Sequence, residues 1–128
     1  MPGPRANAQA IAQNIQGYSS TAVTAGQNLT EGVSVVFGRI TAVKFYGATA
    51  GTGGANTVGD VLVNGTSIWA VAANKPTLLA TSTGEFTNSL GDPIRSAVKP
   101  GDLITLQVAS ISSTGQARVA ATATIQRV

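Results

Sequence analysis

From residue 31 onward, apolar and polar residues alternate with the period of two that marks half-buried strands. The clearest run is 117–125, where Val119, Ala121, Ala123 and Ile125 share one face and Arg118, Thr122 and Thr124 share the other. Residues 103–109 repeat the pattern, with Ile104, Leu106 and Val108 set against Thr105 and Gln107. The β-branched and aromatic runs 34–37 (SVVF) and 39–46 (RITAVKFY) predict two further strands. Residues 60–63 and 66–70 flank Asn64-Gly65, a hairpin signal because both turn positions need positive φ. On a strand through 66–70, either Ile68 or Trp69 faces inward, not both. Residues 77–80 and 85–87 add short runs.

Loops separate these runs. Five glycines fall between residues 47 and 59, Lys99-Pro100-Gly101-Asp102 reads as a turn, and 110–116 is polar. No long helical period follows residue 16. Seven or eight short strands, one face wet and one face dry, predict an all-β antiparallel sandwich of jelly-roll type.

Residues 1–30 read differently. Pro2, Gly3 and Pro4 disfavour regular structure at the start. Residues 7–16 predict a short helix capped by Asn7 and stopped by Gly17, with Ala8, Ile11, Ala12 and Ile15 on one face. Residues 18–30 are rich in Ser, Thr, Gly and Gln and read as extended chain or loop. The expected organisation is an N-terminal arm over 1–30 and a sandwich domain over 31–128, such that deleting 1–20 leaves a folded domain.

A chain of 128 residues fits one domain, and with only six aromatic residues its core must be largely aliphatic. Only 10% of residues are charged, against about a quarter in ordinary soluble domains. The surface must therefore be solvated by neutral polar groups or partly covered, as interface cores are. The sequence pI is about 9.8, but the eight cations (Arg5, Arg39, Lys44, Lys75, Arg95, Lys99, Arg118, Arg127) form no cluster of the kind a phosphate backbone needs. Direct nucleic-acid binding is not expected. Nor is a membrane span or a secretory leader, since no apolar stretch approaches about 20 residues and the N-terminus lacks an apolar signal core.

The chain has no His and no Cys, which removes Ser-His-Asp triads, thiol nucleophiles and ordinary zinc sites. The five acids, Glu31, Asp60, Glu85, Asp92 and Asp102, show no pair spacing, and Asp92 and Asp102 occupy turn contexts. No catalytic residues, cofactor or metal site are expected. The glycine-rich stretch is neither G-x-G-x-x-G nor followed by GK[ST], so it reads as a connection between strands. Trp69, the one Trp, reads as a core anchor.

Four segments carry a resemblance: Gly38-Arg39-Ile40-Thr41-Ala42-Val43-Lys44; Asp60-Val61-Leu62-Val63-Asn64-Gly65-Thr66-Ser67-Ile68; Lys75-Pro76-Thr77; and Val98-Lys99-Pro100-Gly101-Asp102-Leu103-Ile104-Thr105-Leu106. Together they resemble a β-sandwich module of tailed-bacteriophage virion proteins, over roughly residues 38–125. A small sandwich of this kind with a low-charge arm resembles the capsid decoration, or cement, proteins. That resemblance implies a homotrimer on the outer capsid surface of the virion, bound to the phage major capsid protein, with no catalytic role. The expected contact residues are in the arm: Pro2, Pro4, Arg5, Ile11, Ile15 and Tyr18. The alternative is a receptor- or glycan-binding module of a tail fibre or baseplate, touching its ligand through an exposed Trp69 and the 47–59 loop.

Overall fold

The computed structural model describes residues 13–86, 97–111 and 113–127. They form an all-β sandwich of two antiparallel sheets. The strands are β1 (Gln13–Ser19), β2 (Gln27–Val33), β3 (Gly38–Thr49), β4 (Asn56–Val63), β5 (Thr66–Ser67), β6 (Thr77–Leu79), β7 (Gly84–Glu85), β8 (Ala97–Val98), β9 (Leu103–Ser110) and β10 (Ala117–Arg127). The first sheet runs β1-β10-β3-β7, with β8 also on β3; the second runs β2-β9-β4-β5, with β6 also on β4. β1 to β4 alternate between the sheets, β9 stays beside β4 in the second, and β10 returns to the first, where it pairs with β1.

The alternation in the sequence sets the inner faces. Val119, Ala121, Ala123 and Ile125 of β10 are buried, as are Ile104, Leu106 and Val108 of β9. Phe45 and Val61 complete the centre, and the rings of Phe45 and Phe86 lie 5.6 Å apart. Gly59 faces Phe45, and a Cβ there would lie 2.9 Å from the ring, so the aromatic occupies space that another residue would fill.

The expected helix over 7–16 is overturned where the structure describes it. Gln13–Gln16 belong to β1, which pairs with β10 from Gln13↔Ile125 to Ser19↔Val119; residues 7–12 lie outside the described residues. The physical reason is a competing period. Ile15 and Ser19 are buried while Asn14, Gln16 and Tyr18 point outward, so the segment also reads with period two. A helix of ten residues is marginal in water, whereas the strand gains a seven-residue register on a buried neighbour.

The arm boundary moves with it. Residues 13–19 and 27–33 are integral edge strands, one in each sheet, and Val23 between them is core. The two edges approach closely because Gly17 has no side chain: a Cβ there would lie 2.9 Å from Thr30 Cβ. A deletion of 1–20 therefore removes a sheet edge and the core residue Ile15.

Two further expectations change. Residues 34–37 are a loop, because their backbone bonds leave the sheet: Ser34 N–H donates to Asp102 O, Gly101 N–H donates to Ser34 O, and the Ser34 hydroxyl donates to Val36 O. Ile68 and Trp69 are both buried, because β5 ends at Ser67 and strand alternation no longer applies beyond it.

Candidate functional site

Each described acid is held by a partner of its own. Asp60 pairs with Lys75 Nζ at 3.0 Å and accepts from Ser67 Oγ at 2.6 Å and Val61 N–H at 2.8 Å. This staples the β4–β5 hairpin to the segment that follows the 3-10 turn Ala72–Asn74. Asp102 accepts from Lys99 Nζ at 2.8 Å, Asn64 Nδ2 at 3.0 Å and Lys99 N–H at 3.0 Å. The Lys99 ammonium, first, and then the Asn64 amide and Lys99 backbone hold its carboxyl at about 2, below the ordinary 3.8. Glu85 faces Lys44 at 3.9 Å with both side chains exposed, and Glu31 accepts from the Thr105 hydroxyl at 3.2 Å. Asp92 lies outside the described residues.

These carboxylates serve different turns and strands and do not converge. Among the described residues no group of three or more His, Cys, Asp or Glu could hold a metal ion. No helix among them is long and apolar enough to cross a membrane. Lys44, Lys75 and Lys99 each face a carboxylate, and Arg118 Nε donates to the Thr49 hydroxyl at 3.0 Å.

Trp69 is a core residue, 3% exposed, which removes it as a ligand platform. The 47–59 segment is shorter as a loop than its glycines suggest. β3 continues to Thr49 and β4 starts at Asn56, and Thr52 bridges to Thr114.

Of the six expected contact residues, Pro2, Pro4, Arg5 and Ile11 lie outside the described residues. Ile15 is buried, so it is corrected from partner anchor to core residue. Its place in β1, facing the second sheet near Gly32, gives the reason. Tyr18 alone is exposed, at 57%.

Two surface features emerge that the sequence reading missed. At the end of the sandwich where β1 begins and β10 finishes, Val33, Val35, Phe37 and Leu103 are all exposed, and Val33 pairs directly with Leu103. Gln13 is tied to this apolar cluster by two bonds: its Nε2 donates to Val33 O at 2.9 Å, and its Oε1 accepts from Val35 N–H at 3.2 Å. The second feature is on the outer face of the first sheet, where Tyr18, Ala120, Tyr46 and Glu85 form one cross-strand row. The signal for Tyr46 was present: Phe45 inward forces its neighbour outward. Phe37 gave no such signal, because its segment has strand composition without strand pairing.

No protein-family model matches the chain, and neither a curated protein nor a solved structure matches it.

Proposed function

We propose that this protein is a structural virion component that binds the outside of an assembled tailed-phage capsid and stabilises it as a homotrimeric decoration protein. The resemblance over 38–125 supplies the class. The observation that carries the reading is the apolar end cluster of Val33, Val35, Phe37 and Leu103 beside Gln13. Exposed apolar side chains gathered at one end of the sandwich favour a partner surface over water. The bonds from Gln13 to Val33 and Val35 hold the first residue of β1 at the edge of that cluster. In this reading the cluster and the chain before Gln13 act together on the capsid, and the low charge suits burial against another protein.

Mechanistically, one subunit bridges neighbouring capsid subunits, and the second contact forms at high effective concentration once the first is made. Because the bridged arrangement exists only in the assembled shell, binding stabilises the shell by mass action.

The test is binding to purified undecorated shells, with the wild-type chain beside a deletion of residues 1–12 and a Val35→Ser/Phe37→Ser variant. Both variants retain every strand of the described residues and are expected to lose shell binding. Full binding by both would overturn the reading.

A further inference from the structure

The outer face of the first sheet carries a second, independent feature. Along β1 and β10, Asn14 lies opposite Thr124, Gln16 opposite Thr122, and Tyr18 opposite Ala120. The first of these pairs is closed, with the Thr124 hydroxyl donating to Asn14 Oδ1 at 2.9 Å. The second is open: neither Gln16 nor Thr122 makes a side-chain hydrogen bond among the described residues. At the third, the small methyl of Ala120 leaves a low floor beside the exposed Tyr18 ring. Here a solvent-open trough of about 400 Å³ is lined by Gln16, Gly17, Tyr18, Ala120, Ala121 and Thr122. Tyr46 stands on the far side of Ala120, 50% exposed, two strand spacings or about 10 Å from β1.

The chemistry of the trough narrows its ligand. Lys44, opposite Thr122, faces Glu85 at 3.9 Å, and Arg118, two residues along β10 from Ala120, donates to the Thr49 hydroxyl; no carboxylate or cation lines the trough itself, which favours a neutral ligand. A wholly apolar ligand would strand the amide of Gln16 and the hydroxyl of Thr122 without water. The trough is shallow and open along one side, which suits a ligand that lies along the sheet surface and keeps one face in water. A pyranose ring matches each feature: its C–H face packs on an aromatic ring, and its rim of hydroxyls bonds to amides and hydroxyls.

We propose that this trough binds a neutral glycan. One sugar ring stacks on Tyr18 with hydroxyls to Gln16 and Thr122, and the next contacts Tyr46 across Ala120. This site is separate from the shell contact proposed above. Tyr18 is five residues along β1 from Gln13, about 16 Å from that end.

The experiment is titration of ¹⁵N-labelled full-length protein with neutral oligosaccharides (maltohexaose, cellohexaose, chitotetraose and a mannan fragment) into the millimolar range. The expected result is shifts of the Gly17, Tyr18, Ala120, Ala121 and Thr122 amides with at least one of these. Tyr18→Ala should weaken that binding roughly tenfold, and Gln16→Leu/Thr122→Val should weaken it severalfold. The Val35→Ser/Phe37→Ser variant should bind the glycan unchanged, which separates this site from the shell contact. No shift at these amides with any of the four glycans would overturn the proposal. So would shifts that persist at full strength in Tyr18→Ala, or loss of shell binding by Tyr18→Ala, which would make the face a protein interface.

Discussion

Asn64 Nδ2 donates to Asp102 Oδ1 at 3.0 Å, joining a hairpin tip to a turn 38 residues further along the chain. The same amide accepts from Leu103 N–H at 2.9 Å through its oxygen, and the Asn64 backbone N–H donates to Leu103 O at 2.8 Å. One residue thus sets the turn between β4 and β5 and the start of β9. Its φ of 51° and the 85° of Gly65 are the left-handed pair that a tight hairpin requires.

Replacing Asn64 by Ala removes the amide bonds and places a non-glycine side chain without compensation at positive φ. The expected loss is about 2–3 kcal/mol, read as a lower urea midpoint with unchanged slope. A loss below about 0.5 kcal/mol would mean that the turn is held by its backbone alone.

Asp102 makes stability depend on acid. Its folded carboxyl sits at about 2, below the ordinary 3.8, so the folded state favours the ionised form. The stabilisation is full above pH 4 or so and is lost as pH falls through about 2. The difference in urea midpoint between the wild-type chain and Asp102→Asn should be constant from neutral pH to about 4 and shrink toward pH 2. A difference independent of pH over that window would contradict the assignment.

The Asp60–Lys75 pair is screened from solvent, with side chains 5% and 19% exposed. Lys75→Met leaves the Asp60 carboxylate with neutral donors only. The expected cost is about 3 kcal/mol. Adding Asp60→Asn should recover part of it, since the uncompensated charge is then gone. A double variant no more stable than Lys75→Met would argue against that explanation.

Gly17 sets the separation of the two sheet edges. A Val there would overlap Thr30 and push β1 from β2, with an expected cost of about 2 kcal/mol. Deleting residues 1–20 should be more severe, because it uncovers β10 and takes Ile15 from the core. Thermal melts of the two variants beside the 1–12 deletion test the order. Wild-type stability in the 1–20 deletion would show that β1 contributes nothing to the fold.

The parts of the fold legible in the sequence were those whose pattern and pairing agree. In β9 and β10 the alternation of Ile104/Leu106/Val108 and Val119/Ala121/Ala123/Ile125 marks strands that lie between neighbours. Asn64-Gly65 named its turn because the required φ values leave few other residues. The edge strands were harder. β2 is QNLTEGV, a polar segment whose strand character comes from its register on β9 and not from apolar composition. The sequence 11–18 carries Ile11 and Ile15 at helical spacing, whereas within β1 Ile15 and Tyr18 lie on opposite strand faces, and the pairing with β10 decides for the strand. The surface features were less legible still. The trough exists because Gln16, Tyr18, Ala120 and Thr122, about a hundred residues apart, share two adjacent rows, and a one-residue slip would dissolve it.

The pairing of β1 with β10 also decides how the protein carries load. Gln13 lies opposite Ile125, so the chain enters and leaves at the same end of one antiparallel ladder. Tension applied between the two chain ends would meet the inter-strand hydrogen bonds one pair at a time and peel β1 away at low force. Tension between the N-terminal segment and the far end of the sandwich pulls along β1 and loads all seven residue pairs of the ladder together. A subunit anchored through its first residues would therefore resist being dragged along its strand axis far better than being pulled apart by its ends. An expanding or shaken scaffold tests that mechanical asymmetry, which equilibrium unfolding does not sense.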